Sequence, residues 1–286
     1  NEKTRDIPII FLSTYSEPNF KTKAFSIGGV DYITKPFHIE EVYNRVQTHL
    51  KLHFLQVELE QQNKNMVELI EVQIQQLLDS QLMAIFALAK LAESRDDTTG
   101  NHLRRVQLIS REIALTMEKE SIYSHEINRT FIDNLFWATP LHDIGKVAIP
   151  DKILLKPYKL TIDEFEVMKT HTILGGNTLE AVQKKFPDNL FINMGIEITK
   201  YHHEKWDGSG YPEGLSKEKI PLAARIVAVA DVYDSLRSKR CYKTAFPHDK
   251  SFDIILQCCE SHFDPYVVGC FYKSYEHMRK DYEEFC

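Results

Sequence analysis

Two pairs of adjacent donors stand out in this sequence: His142-Asp143, and His202-His203 followed by Glu204. His102, His171 and Asp231 are further candidates. A lone histidine on a helical face is ordinarily a core or surface residue. Adjacent donors are more suggestive, and together these residues supply five imidazoles and two carboxylates. Iron, manganese, nickel and zinc accept mixed nitrogen and oxygen ligation of this type. Six or seven ligands exceed what one ion needs and suit two ions sharing a bridging carboxylate, for which Asp143 is the expected residue. Neighbours on a helix point about 100° apart, so one pair can serve two ions. Two metals about 3.5–4 Å apart can hold a hydroxide between them and clamp a phosphodiester for in-line attack. Each also lowers the pKa of bound water.

Other residues extend the pattern. Lys146 follows His142 by one expected helical turn, where a cation can neutralise a phosphate oxygen, and Gly145 leaves room for close approach. Residues 202–212, HHEKWDGSGYP, mix ligands with a glycine-rich loop. Trp206 and Tyr211 offer aromatic surface for stacking a base. Asp231 and Asp234 share a helical face. Arg237, Lys239, Arg240 and Lys243 then form a basic cluster, read as a phosphate-binding rim.

These residues need elements to hold them. Residues 8–13 form a short apolar run that predicts a buried strand. Residues 17–27 read as a helix stopped by Gly28 and Gly29, and residues 30–34 as a second strand. From Ile39 the pattern is helical, and residues 39–80 contain neither Gly nor Pro, which predicts one long helix. Leu52, Leu55, Leu59, Gln62, Met66 and Leu69 recur with heptad spacing. The seam then slips to Ile70, Ile74 and Leu77, a shift that alters supercoiling locally. A dimerising linker helix over 52–80 is expected. Residues 81–286 read as mostly helical, with loops at 150–157, 207–214 and 246–249.

The chain has 286 residues, about two domains' worth. Its net charge of −6 argues against broad charge-driven DNA or RNA binding. No apolar run approaches membrane-span length, and no secretory leader is visible. The five cysteines (Cys241, Cys258, Cys259, Cys270 and Cys286) are irregularly spaced with no CxxC, so a disulfide framework is not expected and a reducing cytoplasm fits. The chain begins with Asn1 and is expected to be a fragment.

Two resemblances follow from these residues. PIIFLST and GGVDYITKPF resemble the C-terminal half of a response-regulator receiver domain, with Ser13 at the family's switch hydroxyl, Tyr32 at its switch aromatic and Lys35 at its phosphate-contacting lysine. The family's acidic cluster and phosphoacceptor aspartate would lie before residue 1. HDIGK at 142–146 and HHEKWDGSGYP at 202–212 resemble the HD-GYP subfamily of HD-superfamily phosphohydrolases, as do ESRDDTTGNH, IPDKILLKP, KTHTILG, IPLAARIVAVADVYDSL and FDP around them.

The resemblance implies a mainly α architecture. A partial α/β receiver would occupy 1–51, the linker 52–80 and a helical HD-GYP domain 81–286. It implies a bacterial two-component protein whose hydrolase cuts cyclic di-GMP to pGpG or onward to GMP. Its metal ligands would be His142, Asp143, His171, His202, His203 and Asp231. Two ions, iron or manganese, are expected, with nickel or zinc also compatible. Lys146 would contact the scissile phosphate. Tyr211, Arg240 and Lys243 would contact substrate, and Asp234, counted with them, would support the site. His102 matches a ligand some members give a third metal. Those members carry a Glu one turn earlier, where this chain has Thr98, so no third ion is expected and His102 is left as a second-shell or weak ligand. Glu93 is a further candidate near the site. Two other readings stay open: a cyclic GMP-AMP phosphodiesterase, and a non-catalytic module binding cyclic dinucleotide or signalling proteins. A mononucleotide-cleaving HD hydrolase is disfavoured by the GYP loop and by His203.

Overall fold

The computed structural model describes residues 6–95, 101–120, 122–123, 125–238, 245–275 and 277–278. Among them are ten α-helices and two strands, a mainly α fold. Contacts divide the chain into two units, Asn1–Ser80 and Gln81–Cys286.

In the first unit, β1 (Ile10–Ser13), α1 (Pro18–Ser26) and β2 (Asp31–Thr34) form a β-α-β turn with parallel strands, Ser13 opposite Thr34. Pro18 opens α1 because its fixed φ suits the first helical position. Ser13 ends β1, Lys35 follows β2, and Tyr32 lies within β2 opposite Phe11. The Lys35 amide donates to the Ser13 carbonyl at 2.8 Å, and the Tyr32 hydroxyl donates to the Tyr15 carbonyl at 2.7 Å. Two strands and one helix cannot cover both faces, and Leu12, Phe25 and Ile27 stay exposed.

The long helix α2 (Ile39–Glu93) runs past the expected end at residue 80. No Gly or Pro interrupts it before Glu93, so nothing local stops it. Leu52, Leu55, Leu59, Met66 and Leu69 are each more than half exposed, and so are Ile74 and Leu77. The apolar seam thus has no cover within its own chain among the described residues.

The second unit continues with α3 (His102–Glu120), α4 (Arg129–Ala138), α5 (Asp151–Leu154), α6 (Ile162–Gln183), α7 (Leu190–Tyr201), α8 (Leu222–Arg237), α9 (His248–Gln257) and α10 (Pro265–Lys273). On α3, Leu103, Val106, Ile109, Ile113 and Met117 repeat at three and four residues and face the core. Ile226, Val227, Val229, Ala230 and Tyr233 are buried along α8, which reads as apolar nearly all round because helices surround it. Caps fix the helix starts. Asn128, Asn189 and Asp264 accept backbone amides at α4, α7 and α10, and Thr161 and Glu164 form a reciprocal capping box at α6. The loop expected at 150–157 contains α5, and the one at 246–249 gives way to α9 at His248.

Candidate metal centre

His142-Asp143 does not lie on an α-helix, as the spacing suggested. It sits between two 3-10 turns, Thr139–Leu141 and Ile144–Ala148, with Asp143 at φ −104 and ψ 8. The second of these turns packs closely on α6. A Cβ on Gly145 would lie 1.9 Å from the His171 carbonyl oxygen and 2.7 Å from the Gly175 amide nitrogen. The turn therefore rests directly on the α6 backbone, which brings Asp143 to His171. The room at Gly145 is filled by α6 rather than left for a ligand. His202-His203 likewise follows the last residue of α7.

Two donor groups result. Ligand atoms of Asp143, His171, His202 and His203 lie within 4.8 Å of one another, and so do those of His102, His142 and Asp231. All six expected ligands are brought together, and His102 stands in the second group as a full member. Asp143 joins the groups. Its Oδ1 is 3.3 Å from His171 Nε2 and 3.9 Å from His202 Nε2, while its Oδ2 is 3.3 Å from His142 Nε2 and 2.8 Å from Lys146 Nζ. Its two oxygens face different sets of donors, as a bridging carboxylate requires.

The imidazoles are held by their other nitrogens. Nδ1 of His142, His171 and His202 donates to the Thr139, Met168 and Ile198 carbonyls at 2.9, 2.8 and 3.0 Å. This fixes the tautomer and turns each Nε2 lone pair inward. Those three Nε2 atoms and Asp143 Oδ1 are buried and make no hydrogen bond. Buried polar atoms left this way are costly unless something else satisfies them. His171 Nε2, His202 Nε2 and Asp143 Oδ1 lie in the first donor group and His142 Nε2 in the second, and each set fits a divalent cation.

Electrostatics agrees for the histidines of the first group. Burial pushes His203 down to about 4, and it also lowers His171 and, further, His202, so these imidazoles are neutral near pH 7 and ready to ligate. Burial opposes the charge on Asp143 too, but Lys146 and His142 hold its carboxyl well below the usual range. Burial acts against His102 as well, yet Asp234, Asp231 and Glu93 carry it up to about 9.

Asp234 is fully buried, so it offers substrate no surface. Instead its Oδ2 lies 2.7 Å from His102 Nδ1 and its Oδ1 accepts from Arg105 Nε at 2.6 Å. His102 Nε2 faces Asp231 Oδ1 at 3.5 Å. Asp231 and Asp234, one turn apart on α8, thus grip the two nitrogens of one ring. The reading of Asp234 as a substrate contact gives way to an orienting role. Arg105 was not anticipated from the sequence, and it also donates to Ser238 Oγ at 3.0 Å.

Trp206 is corrected as well. It is 9% exposed, its amide donates to the His262 carbonyl at 3.0 Å, and the Arg225 guanidinium lies 5.9 Å from its ring. Burial removes it as a base-stacking surface. Arg225 is in turn paired with buried Asp264, so this packing braces the loop. Glu204 braces it too, accepting the Glu213 and Gly214 amides at 2.7 and 3.0 Å. Gly210 is needed for the fold-back, since a Cβ there would lie 2.3 Å from the Lys205 amide nitrogen. Tyr211, half-buried, sets its ring 4.8 Å from that of His203. Arg237 donates to the Phe246 carbonyl at 3.3 Å. Thr98, Lys239, Arg240 and Lys243 lie outside the described residues.

The chain matches known proteins over most of its length. The family described as HD domain matches residues 87–267. Over 272 residues the chain is 45% identical to a Vibrio cholerae serotype O1 protein named "Probable cyclic di-GMP phosphodiesterase", spanning 95% of this chain and 62% of that one. Over 286 residues it is 35% identical to the "Cyclic di-GMP phosphodiesterase response regulator RpfG" of Xanthomonas campestris pv. campestris, spanning 99% of this chain and 70% of the relative. It is also 36% identical over 184 residues to the "3'3'-cGAMP-specific phosphodiesterase 2" of Vibrio cholerae, spanning 64% of this chain and 33% of that protein. The chain therefore covers less than two thirds of the first of these relatives. No helix among the described residues is long and apolar enough to cross a membrane.

Proposed function

Because the chain belongs to the HD-domain family, we propose that it is a metal-dependent phosphodiesterase of cyclic dinucleotides, with cyclic di-GMP as its substrate and pGpG, then GMP, as products. One observation carries this: Asp143 presents its two oxygens to two separate donor groups, in which the buried Nε2 atoms of His142, His171 and His202 make no hydrogen bond. His171, His202 and His203 would hold one ion, and His102, His142 and Asp231 the other, with Asp143 shared. The ions are read as iron or manganese: the imidazoles suit iron, and the carboxylates suit manganese. Divalent ions bound there supply Lewis acidity at phosphoryl oxygens and make water nucleophilic near neutral pH.

The protein's own residues do the rest. Five imidazoles against two carboxylates leave two divalent ions short of neutralising charge, so a dianionic diester is drawn to the site. Lys146, about one-fifth exposed beside Asp143, is placed to donate to a phosphoryl oxygen as its charge grows. Asp234 and Arg105 hold His102 in register. Arg240 and Lys243 are assigned to the second phosphate.

The test is turnover of cyclic di-GMP by purified protein in anaerobic buffer with Fe²⁺ or Mn²⁺, with products separated by chromatography. We expect pGpG and GMP to appear. Lys146→Ala should keep its metal and lose about a hundredfold in kcat. Metal-replete protein that cuts no cyclic di-GMP but does cut 3'3'-cGAMP would shift the substrate to the hybrid dinucleotide, a reading favoured by the cGAMP-specific relative. No cleavage of either would refute the enzyme.

Residues 1–51 are read as the C-terminal half of a receiver domain, which makes the whole protein a response regulator. The parallel β1-α1-β2 arrangement, with Ser13 at the end of β1, Lys35 just after β2 and the Tyr32 hydroxyl on the Tyr15 carbonyl, supports this. The exposed α2 seam is read as a homodimer contact. Leu55→Lys with Leu59→Lys should convert a dimer to a monomer in sedimentation velocity. Identical sedimentation of wild type and variant would remove the seam from assembly.

A further inference from the structure

Residues on α6, the helix that supplies His171, also build a feature at the edge of the metal centre that neither ligation nor phosphate binding uses. Phe165 and Lys169 stand four residues apart and share a helix face. The Phe165 ring is 45% exposed. It meets the Tyr211 ring edge-on, with centroids 6.2 Å apart at 84°. The Lys169 ammonium lies 5.6 Å from the Phe165 centroid and 5.7 Å from that of Tyr211. Glu166 Oε1, 2.7 Å away, holds the ammonium there. Tyr211 in turn packs on His203 of the first donor group. An exposed ring, a positioned donor and a donor group that would hold a metal thus follow one another outward from the centre. Because α6 is one continuous helix, Phe165 and His171 keep a fixed separation of about 9 Å along its axis.

We infer that Phe165 and Lys169 form a purine subsite that prefers guanine. The inference rests on reading the centre as a cyclic-dinucleotide phosphodiesterase, and it names what selects the base. A diester held at the metals carries its nucleosides outward, and a planar base needs an aromatic face on which to lie. The exposed Phe165 ring supplies one in the place first expected of Trp206. Stacking alone accepts any base. Lys169 adds the choice, because an ammonium donates and cannot accept. Guanine offers it two acceptors, O6 and N7, whereas adenine offers N7 beside an amino group that is itself a donor. Cyclic di-GMP and the hybrid 3'3'-cGAMP both satisfy such a subsite, and cyclic di-AMP does not.

The test compares kcat/KM for cyclic di-GMP and cyclic di-AMP in the metal-loaded full chain. Lys169→Met should lower kcat/KM for cyclic di-GMP about tenfold or more, chiefly through KM, and collapse its preference over cyclic di-AMP. Lys169→Arg, which keeps the donors, should retain that preference. Phe165→Ala should raise KM about fivefold or more for both dinucleotides. Metal content and melting temperature, measured alongside, separate these effects from damage to the fold. Should Lys169→Met fail to fold, Lys169→Arg and Phe165→Ala carry the comparison. An unchanged preference in Lys169→Met, or unchanged KM in Phe165→Ala, overturns the subsite and leaves the proposed enzyme standing. A wild type that cleaves bis(p-nitrophenyl) phosphate but no cyclic dinucleotide refutes the substrate reading itself, and the subsite with it.

Discussion

Asp143→Ala is expected to strip divalent metal from both donor groups and to lower phosphodiesterase turnover by about three orders of magnitude or more. The size follows from where the carboxylate stands. Its Oδ1 lies 3.3 Å from His171 Nε2 and its Oδ2 lies 3.3 Å from His142 Nε2, so one side chain faces both groups. Removing it leaves Asp231 as the remaining carboxylate of the two groups. Two divalent ions would then face five imidazoles and one negative charge. Lys146 would lose its 2.8 Å contact with that carboxylate as well, so its ammonium would add to the positive charge around the cations. Metal content by elemental analysis, read with turnover, is the check. His203→Ala makes the comparison sharp, since it removes one neutral donor from one group and should leave the second group loaded. An Asp143→Ala protein that retains both ions at wild-type stoichiometry would show that Asp143 is not the bridge.

The clustering of the donors was legible because their signals are local. Two adjacent donor pairs do not arise from helical patterning, and each pair lies beside a glycine whose close contact the structure explains at Gly145 and Gly210. The β-α-β turn was legible for the same reason, through a short apolar run, a proline at a helix start and paired glycines. What was not legible depends on distant partners. Arg105 on α3 reads as an ordinary helical arginine until Asp234, 129 residues away, is folded against it. Trp206 reads as an accessible aromatic in a glycine-rich loop, but Arg225 and the His262 carbonyl bury it. Helical spacing also misplaced His142-Asp143, which lies between two 3-10 turns, the second packed on α6 through Gly145. The helix read from the absence of Gly and Pro over 39–80 runs on to Glu93, because the residues that follow contain no breaker either.

Gly145→Ala tests that contact directly, and it should cost about 3 kcal/mol or more of stability, a fall of about 6 °C or more in melting temperature. The effect is steric, since the added methyl would sit 1.9 Å from the His171 carbonyl oxygen and 2.7 Å from the Gly175 amide nitrogen. Both are backbone atoms of α6, so no side-chain rotation relieves the clash. Either the 3-10 turn lifts or α6 bends, and each movement separates Asp143 from His171. Metal affinity should therefore fall with stability, and added Mn²⁺ should restore less of the lost melting temperature than it confers on wild type. Gly269→Ala is the internal comparison. It lies on α10 with open space where its Cβ would go, and a helical Gly→Ala change there should be neutral or stabilising by up to about 1 kcal/mol. If Gly145→Ala and Gly269→Ala melted alike and bound metal alike, the 3-10 turn would not be pressed against α6. Asp143 would then reach His171 by some other support.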